Sequence, residues 1–265
     1  MRRISSRDNS TIRELARLVV SRRERRESGR FCIEGVRLVL DALTTGAPVV
    51  AVFATPEGLR RAGVSADGSN IPTGPEWFEI DDAMAHKISD TQSPQGVFAM
   101  CEGTLLRPGL PSAVPNGCLL LSGLQDPGNI GTILRSANAF GLSAVILADD
   151  CSDLVSPKVM RASMGAAFRV PVYEAESALD AVTALRVSMP VYAATLQRDS
   201  RPVGAAVLTG AVVVIGNEGA GLPQGVIDVC HESLFVPIAP GCESLNAAMA
   251  ATVFAWEMAR RRGDE

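Results

Sequence analysis

The chain has 265 residues, 47% of them apolar, which suffices for one large or two ordinary domains with a sizeable core. Its longest apolar runs, such as "AVVVI" at 211–215, are far too short to cross a bilayer, and the opening "MRRISSRDNS" lacks the apolar stretch of a secretory signal, so a soluble, cytoplasmic protein is expected. The net charge is −4, yet residues 1–30 hold ten arginines against four acids, which gathers the basic charge at one end.

In chain order, "TIRELARLVVSRRERR" reads as a helix and "IEGVRLVLDALTTG" as a second one, closed by Gly46. The strand-like "VVAVFA", a short "EGLRRAG" helix, "WFEI", the helical "DDAMAHKISD" and the strand-like "GVFAMCEG" follow. This alternation predicts a small α/β domain over residues 1–102. Residues 103–117, "GTLLRPGLPSAVPNG", carry three prolines and three glycines without a sustained period and form the expected linker. From 118 to 265 the pattern becomes regular. Strand-like "CLLLSGL", "SAVILAD", "PVYAATL", "AVVVIGN" and "SLFVPI" alternate with helical "NIGTILRSANAF", "SPKVMRASMGAAFRV", "ALDAVTALRVSM", "PQGVIDVC" and "SLNAAMAATVFAWEMARRR". Continuous apolar strands separated by helices predict a parallel sheet covered on both faces, whose ligands bind beyond the carboxyl ends of the strands.

The polar and glycine-rich material falls at those ends. "GNEGAGLP", 216–223, lacks the order of a dinucleotide-binding fingerprint and the Lys-Ser/Thr pair of a phosphate loop. Read alone it is a structural turn, but Glu218 among its glycines has little structural reason to be there. In "LQDPGNIGTILRSANAFG", 124–141, Asn129 reads as a helix N-cap and Arg135, beside the apolar stripe, as a surface ion-pairing residue; Gly141 closes the helix. In "CESLNAAMAA", 242–251, Ser244 is suited to cap the last helix, whereas Asn246 falls inside the first turn, where free N–H groups face a ligand. The alanines at 247, 248, 250 and 251 suit a tight helix interface. The six cysteines and two histidines show no ligand spacing, so no metal is expected. The charge run "SRRERRESGR" reads either as a solvated helix face or as a phosphate-binding arm.

Taken together, "DPGNIGTILRSANAFG", "VVVIGNEGAGL" and "VPIAPGCESLNAAMAA" resemble, in order and spacing, the three motifs of the SpoU/TrmH family of RNA 2′-O-ribose methyltransferases in the SPOUT superfamily, over residues 118–260. The N-terminal half more loosely resembles the ribosomal-protein-like substrate-binding domain that many such enzymes carry, including "SPQGVFA" at 93–99. The resemblance implies an α/β catalytic domain with a deep trefoil knot and S-adenosylmethionine as cofactor. It implies cofactor contacts at Thr195, Leu196, Gly216, Gly221, Val236, Ile238 and Leu245, and catalytic positions at Asn129, Arg135, Glu218, Ser244 and Asn246. The small-residue helix 244–260 and its neighbour are expected to form a homodimer, with the catalytic pocket completed near the interface.

An RNA substrate is implied, since the 2′-hydroxyl distinguishes RNA from DNA; the basic arm and extra domain favour large-subunit ribosomal RNA over transfer RNA. An arginine guanidinium is not deprotonated in proteins, so Arg135 is expected to orient phosphate and ribose and to stabilise developing alkoxide. Glu218 or a substrate phosphate is left as proton acceptor. Two other readings predict different behaviour: a non-catalytic RNA-binding assembly factor of the same fold, and a nucleotide-dependent oxidoreductase suggested by the glycine loop.

Overall fold

The computed structural model describes residues 1–65 and 70–260. The chain folds as two compact units: Met1–Leu105 with Asp153–Phe168, and Leu106–Ser152 with the chain from Arg169 on.

The first unit runs β1 (Arg2–Arg3), α1 (Ser10–Val20), α2 (Arg22–Ser28), β2 (Arg30–Glu34), α3 (Val36–Thr45), β3 (Val49–Ala54), α4 (Pro56–Arg61), β4 (Glu76–Glu79), α5 (Asp82–Ile88) and β5 (Val97–Glu102). Its sheet has the order β1-β4-β3-β5-β2. Ile12, Leu15 and Leu18, one stripe of α1, are fully buried with Met84 and Ile88 of α5 against Phe53 and Phe98 of the sheet. Two sequence expectations fail here. The single helix expected over 11–26 breaks at Ser21, which is extended and whose side chain accepts from Glu24 N at 3.1 Å to start α2; a serine hydroxyl favours capping over helix interior. Ile33 and Glu34, read as the start of a helix, instead end strand β2, which pairs antiparallel with β5, Arg30 opposite Glu102. Gly35, at φ 116°, makes the turn into α3.

The second unit runs β6 (Leu106–Arg107), β7 (Cys118–Ser122), α6 (Pro127–Ala139) and β8 (Ala144–Ala148); α7 (Pro157–Ser163) belongs to the first unit. Then follow β9 (Val172–Glu174), α8 (Ala178–Leu185), β10 (Val191–Ala194), β11 (Arg201–Pro202), β12 (Val212–Ile215), α9 (Gln224–Val229), β13 (Glu232–Phe235) and α10 (Ala247–Arg260). The sheet order is β11-β13-β10-β12-β7-β8-β9-β6, with every pair parallel. The five expected strands are present; β6, β9 and β11, of two or three residues, are too short to show a period. Every residue of β7, β8 and β12 is buried. Helices α8 and α9 cover one face. Helices α6 and α10 pack on each other and against β8 and β12, joined by Ser136 Oγ and Thr252 Oγ1 at 2.7 Å. The strand sequence β7, β8, β9 leads toward one edge while β10 and β13 lie beyond β12, so the order switches between β7 and β12, where such sheets bind ligands.

Segment 153–168, expected to belong with the C-terminal half, packs with the first unit instead. Arg161 makes a bidentate pair with Asp90 at 2.7 and 2.9 Å, and Asp153 pairs with Arg25 at 2.7 Å. The helix expected over 156–170 ends at Ser163, followed by Met164 and Gly165 at φ 50° and 84°. The last expected helix starts at Ala247 rather than Ser244, and its residues 261 and 262 lie outside the described residues. No described helix is long and apolar enough to cross a membrane. The six cysteines are free; Cys242 alone of them is exposed.

Candidate active site

Three loops meet where the strand order switches. Helix α6 begins after β7 with Asp126 as N-cap, its side chain accepting from Gly128 N at 2.9 Å, and Pro127 in the first turn. Asn129 is therefore not the cap expected from sequence but the third residue of the helix, buried at 7% exposure. The helix ends in a Schellman motif: Leu142 N donates to Ala137 O and Gly141 N to Asn138 O.

After β12 the chain makes a tight loop closed by reciprocal hydrogen bonds between Asn217 and Gly221 at 3.0 and 3.1 Å. The Asn217 side chain accepts from Gly219 N and Ala220 N, and its amide donates to Gly123 O at 2.7 Å, tying this loop to the end of β7. Glycine is required at 216, where a Cβ would lie 2.4 Å from Gly221 C.

At α10 the roles assigned from sequence are exchanged. Asn246 is the cap, its Oδ1 accepting from Ala248 N at 2.9 Å and Met249 N at 3.3 Å. Ser244 lies exposed in the preceding loop, because the chain stays irregular from the Pro240–Gly241 turn to Asn246.

The three loops are joined by one directional network. Asn129 Nδ2 donates to Glu218 Oε1 at 2.9 Å, and Asn246 Nδ2 donates to Asn129 Oδ1 at 3.0 Å. The orientations follow from chemistry: an ionised carboxylate only accepts, and the Asn246 oxygen is committed to helix N–H groups. Glu218 also accepts from Gln125 N and Asp126 N, each at 3.3 Å. Partial burial pulls its carboxyl upward, but the hydrogen bonds from Asn129 and the backbone N–H groups of 218, 125 and 126 outweigh that and hold it below the ordinary carboxylate range. Whatever stability these bonds supply is present above that ordinary range and is lost as the pH falls through the depressed value.

Two neighbouring cavities open beside this network. One, of about 470 Å³, is lined by Thr195, Leu196, Val236, Ile238, Ser244 and Leu245, with Phe254 behind them. The other, of about 490 Å³, is lined by Thr195, Gly216, Glu218, Gly221, Ser244, Leu245 and Asn246. Their shared residues, including Thr195, Ser244 and Leu245, make them two lobes of one cleft. Every cofactor position named from sequence lines a lobe, and Leu196, Ile238 and Leu245 remain 74%, 37% and 40% exposed, an apolar lining typical of ligand sites. Arg135 is the exception. It is exposed on α6 and lines neither lobe. Among the described residues no cluster of His, Cys, Asp or Glu could hold a metal.

Gln125 and Asn217 lie inside the motifs, and their roles emerge only from the fold. The signal for Asn217 was present, since an asparagine before glycine at a strand end favours a side-chain-capped turn. Gln125 acts mainly through its backbone, which leaves no mark on residue type.

Residues 117–256 match the SpoU rRNA Methylase family and residues 9–99 the MRM3-like substrate binding domain. The chain belongs to the SpoU rRNA methylase family. It is 29% identical over 97% of its length to the Bacillus subtilis 23S rRNA (guanosine(2553)-2′-O)-methyltransferase RlmP, covering 99% of that protein. It is 30% identical over 98% of its length to a Streptomyces viridochromogenes 23S rRNA (uridine(2479)-2′-O)-methyltransferase, covering 93% of it. Among solved structures, the AdoMet-bound rRNA methyltransferase from Sinorhizobium meliloti superposes with a TM-score of 0.84 at 27% identity, with 98% of both chains covered. The SpoU methyltransferase AviRb of Streptomyces viridochromogenes in complex with AdoMet gives 0.81 at 28%, covering 96% of this chain and 98% of that one.

Proposed function

We propose that this SpoU-family chain methylates a ribose 2′-oxygen of large-subunit ribosomal RNA, with Asn129, Arg135, Glu218, Ser244 and Asn246 as its catalytic set. The chain is an RNA ribose 2′-O-methyltransferase that uses S-adenosylmethionine. The observation that carries the residue assignment is the Glu218–Asn129–Asn246 network at the mouth of the cleft.

The cleft suits the cofactor on its own geometry. The apolar lobe at Leu196, Ile238 and Leu245 would take the adenine, and the glycine lobe at 216–221, with no side chains at its closest points, admits the rest of the molecule against backbone. When bound, the cofactor supplies an electrophilic methyl group. The chain does the remainder. Asn129 and Ser244 fix the ribose, and Asn246 holds Asn129 in the orientation that presents it to Glu218. Arg135 orients phosphate and stabilises charge developing on the 2′-oxygen, while ionised Glu218 or the RNA phosphate takes the proton.

The position of Arg135 favours a homodimer. Its helix lies beside α10, whose Met249 and Trp256 are 50% and 48% exposed, an apolar face suited to a second copy. A second copy would bring Arg135 to the cleft it does not reach in its own chain. Threading of the chain as a trefoil knot, and a cytoplasmic setting, complete the reading.

The notion of a free basic arm needs revision. Arg17, Arg23 and Arg30 pair with Glu24, Glu27 and with Glu14 and Glu102, and Arg25 is buried. Deleting residues 1–30 would also remove Ile12, Leu15 and Leu18 from the core, so it would unfold the unit rather than test RNA binding. Arg7 and Arg13 are exposed. Reversing both to Glu should weaken binding to ribosomal RNA and lower its logarithmic salt slope by roughly two, measured by filter binding across a salt series. An unchanged slope would take these residues off the RNA path.

Titration calorimetry tests the reading at its base. S-adenosylmethionine should bind with one site per chain and NAD should not bind; the reverse pattern would favour the oxidoreductase reading.

A further inference from the structure

We propose that Gln125 and Asp149 are positioning residues for methyl transfer: together they brace the 122–126 turn against the end of β8 and so aim the two backbone N–H groups that hold the Glu218 carboxylate. The inference rests on the role given above to Glu218, and every residue in it belongs to the second unit.

Among the described residues three other than glycine take a left-handed φ, and two of them, Asp149 and Asp150, stand side by side just past β8, both at 54°. Aspartate tolerates this conformation better than most residues, but as a single position; two in succession persist only where the surroundings over-determine them. The constraint here is a clamp. The Asp149 carboxylate accepts from Ser122 Oγ at the end of β7 and from Ala178 N, at 2.9 Å, at the start of α8. Neither element needs the clamp in order to form: β7 is paired with both β8 and β12, and Ser177 already caps α8 by accepting from Asp180 N.

The consequence falls on Gln125. Its Nε2 donates to Asp150 O at 3.1 Å and to Gly123 O at 3.3 Å, while Ser152 holds the same turn by donating from N to Leu124 O at 2.9 Å and from Oγ to Gln125 O. The Gln125 side chain thus fixes its own backbone, and that backbone is what reaches the site: Gln125 N and Asp126 N each donate to Glu218 at 3.3 Å. Gln125 is exposed and lines neither lobe of the cleft. An exposed amide gains little stability by exchanging water for carbonyls and gives up rotamer freedom to hold them. What the arrangement supplies is direction.

The test uses the full chain with Gln125→Met, which keeps the length of the side chain and removes its donor. The residue is exposed, so the melting temperature should stay close to parental, and S-adenosylmethionine should bind with parental affinity. On unmodified large-subunit ribosomal RNA, kcat should fall by on the order of tenfold with KM near parental, and the Glu218 carboxyl, followed by carbon NMR, should titrate at a higher pH than in the parent. Asp149→Ala should lose kcat as well. Asp149→Asn should keep most of it, because the amide oxygen can accept from Ala178 N while its nitrogen donates to Ser122 Oγ. Parental kcat or an unmoved Glu218 titration in Gln125→Met would overturn the proposal. So would a loss confined to KM, which would place the Gln125 side chain on the RNA, or equal losses from alanine and asparagine at 149. Should the parent transfer no methyl group to this RNA, the function proposed above fails, while the Glu218 titration still decides the brace.

Discussion

Replacing Arg135 with alanine is expected to lower methyl transfer by on the order of a hundredfold to a thousandfold, the usual cost of removing a group that stabilises charge formed only in the transition state. The affinity for S-adenosylmethionine should stay close to parental, because Arg135 lines neither lobe of the cleft. The side chain is exposed on α6, so its loss opens no cavity and the fold should be unaffected. A single-turnover assay alongside calorimetry separates the two effects. Normal turnover would remove Arg135 from the mechanism, and a parallel loss of cofactor affinity would mean that its role is in binding.

Replacing Gly216 with alanine should do the opposite. The added Cβ would lie 2.4 to 2.7 Å from backbone atoms of Gly221 and Leu222, and those atoms are held by the reciprocal Asn217–Gly221 hydrogen bonds. Backbone cannot rotate away as a side chain can, so the loop has to open. Overpacking of this kind costs about 1–3 kcal/mol, which corresponds to roughly tenfold to a hundredfold in the dissociation constant of a ligand that needs the closed loop. Calorimetry should show that loss for S-adenosylmethionine. Parental affinity would show that the 216–221 turn is not the cofactor cradle.

The two variants together test whether the cleft is completed by a second copy. In a mixed dimer, one site would combine an intact glycine loop with an intact Arg135 from the partner, and the other site would carry both defects. Assayed at a concentration of S-adenosylmethionine near the parental dissociation constant, where each variant alone is weakly active, coexpression should then return up to about a quarter of parental activity. If Arg135 acts within its own chain, every site carries a defect and no activity returns.

How far the sequence foretold this follows from the range of each interaction. The parallel sheet was legible because β7, β8 and β12 are buried on both faces and read as unbroken apolar runs. Gly216, Glu218 and Gly221 were legible because polar residues at strand ends stand out against such runs. Local pattern misassigned what non-local contacts decide. Ile33 and Glu34 read helically with the residues after them, but they end a strand whose partner is β5, where they face Ala99 and Phe98. Ser244 is as good a cap by type as Asn246; the irregular path after Pro240 decides between them. Arg25 falls in a charge run that reads either as a solvated helix face or as a phosphate-binding arm, and only its partner at 153 shows it to be buried. The site is thus named by its motifs but wired by residues, Gln125 and Asn217 among them, whose parts depend on what the fold brings beside them.

The most direct test of the account is transfer of a tritiated methyl group from S-adenosylmethionine to large-subunit ribosomal RNA that lacks its native modifications, followed by alkaline hydrolysis. A methylated 2′-oxygen cannot attack the adjoining phosphate, so the account predicts label in alkali-resistant dinucleotides, at a defined position, and on the order of a hundredth of it or less when Arg135 is replaced. Label confined to mononucleotides would place the methyl group on a base, and no label from a folded, cofactor-bound enzyme would contradict ribose methylation of this RNA altogether.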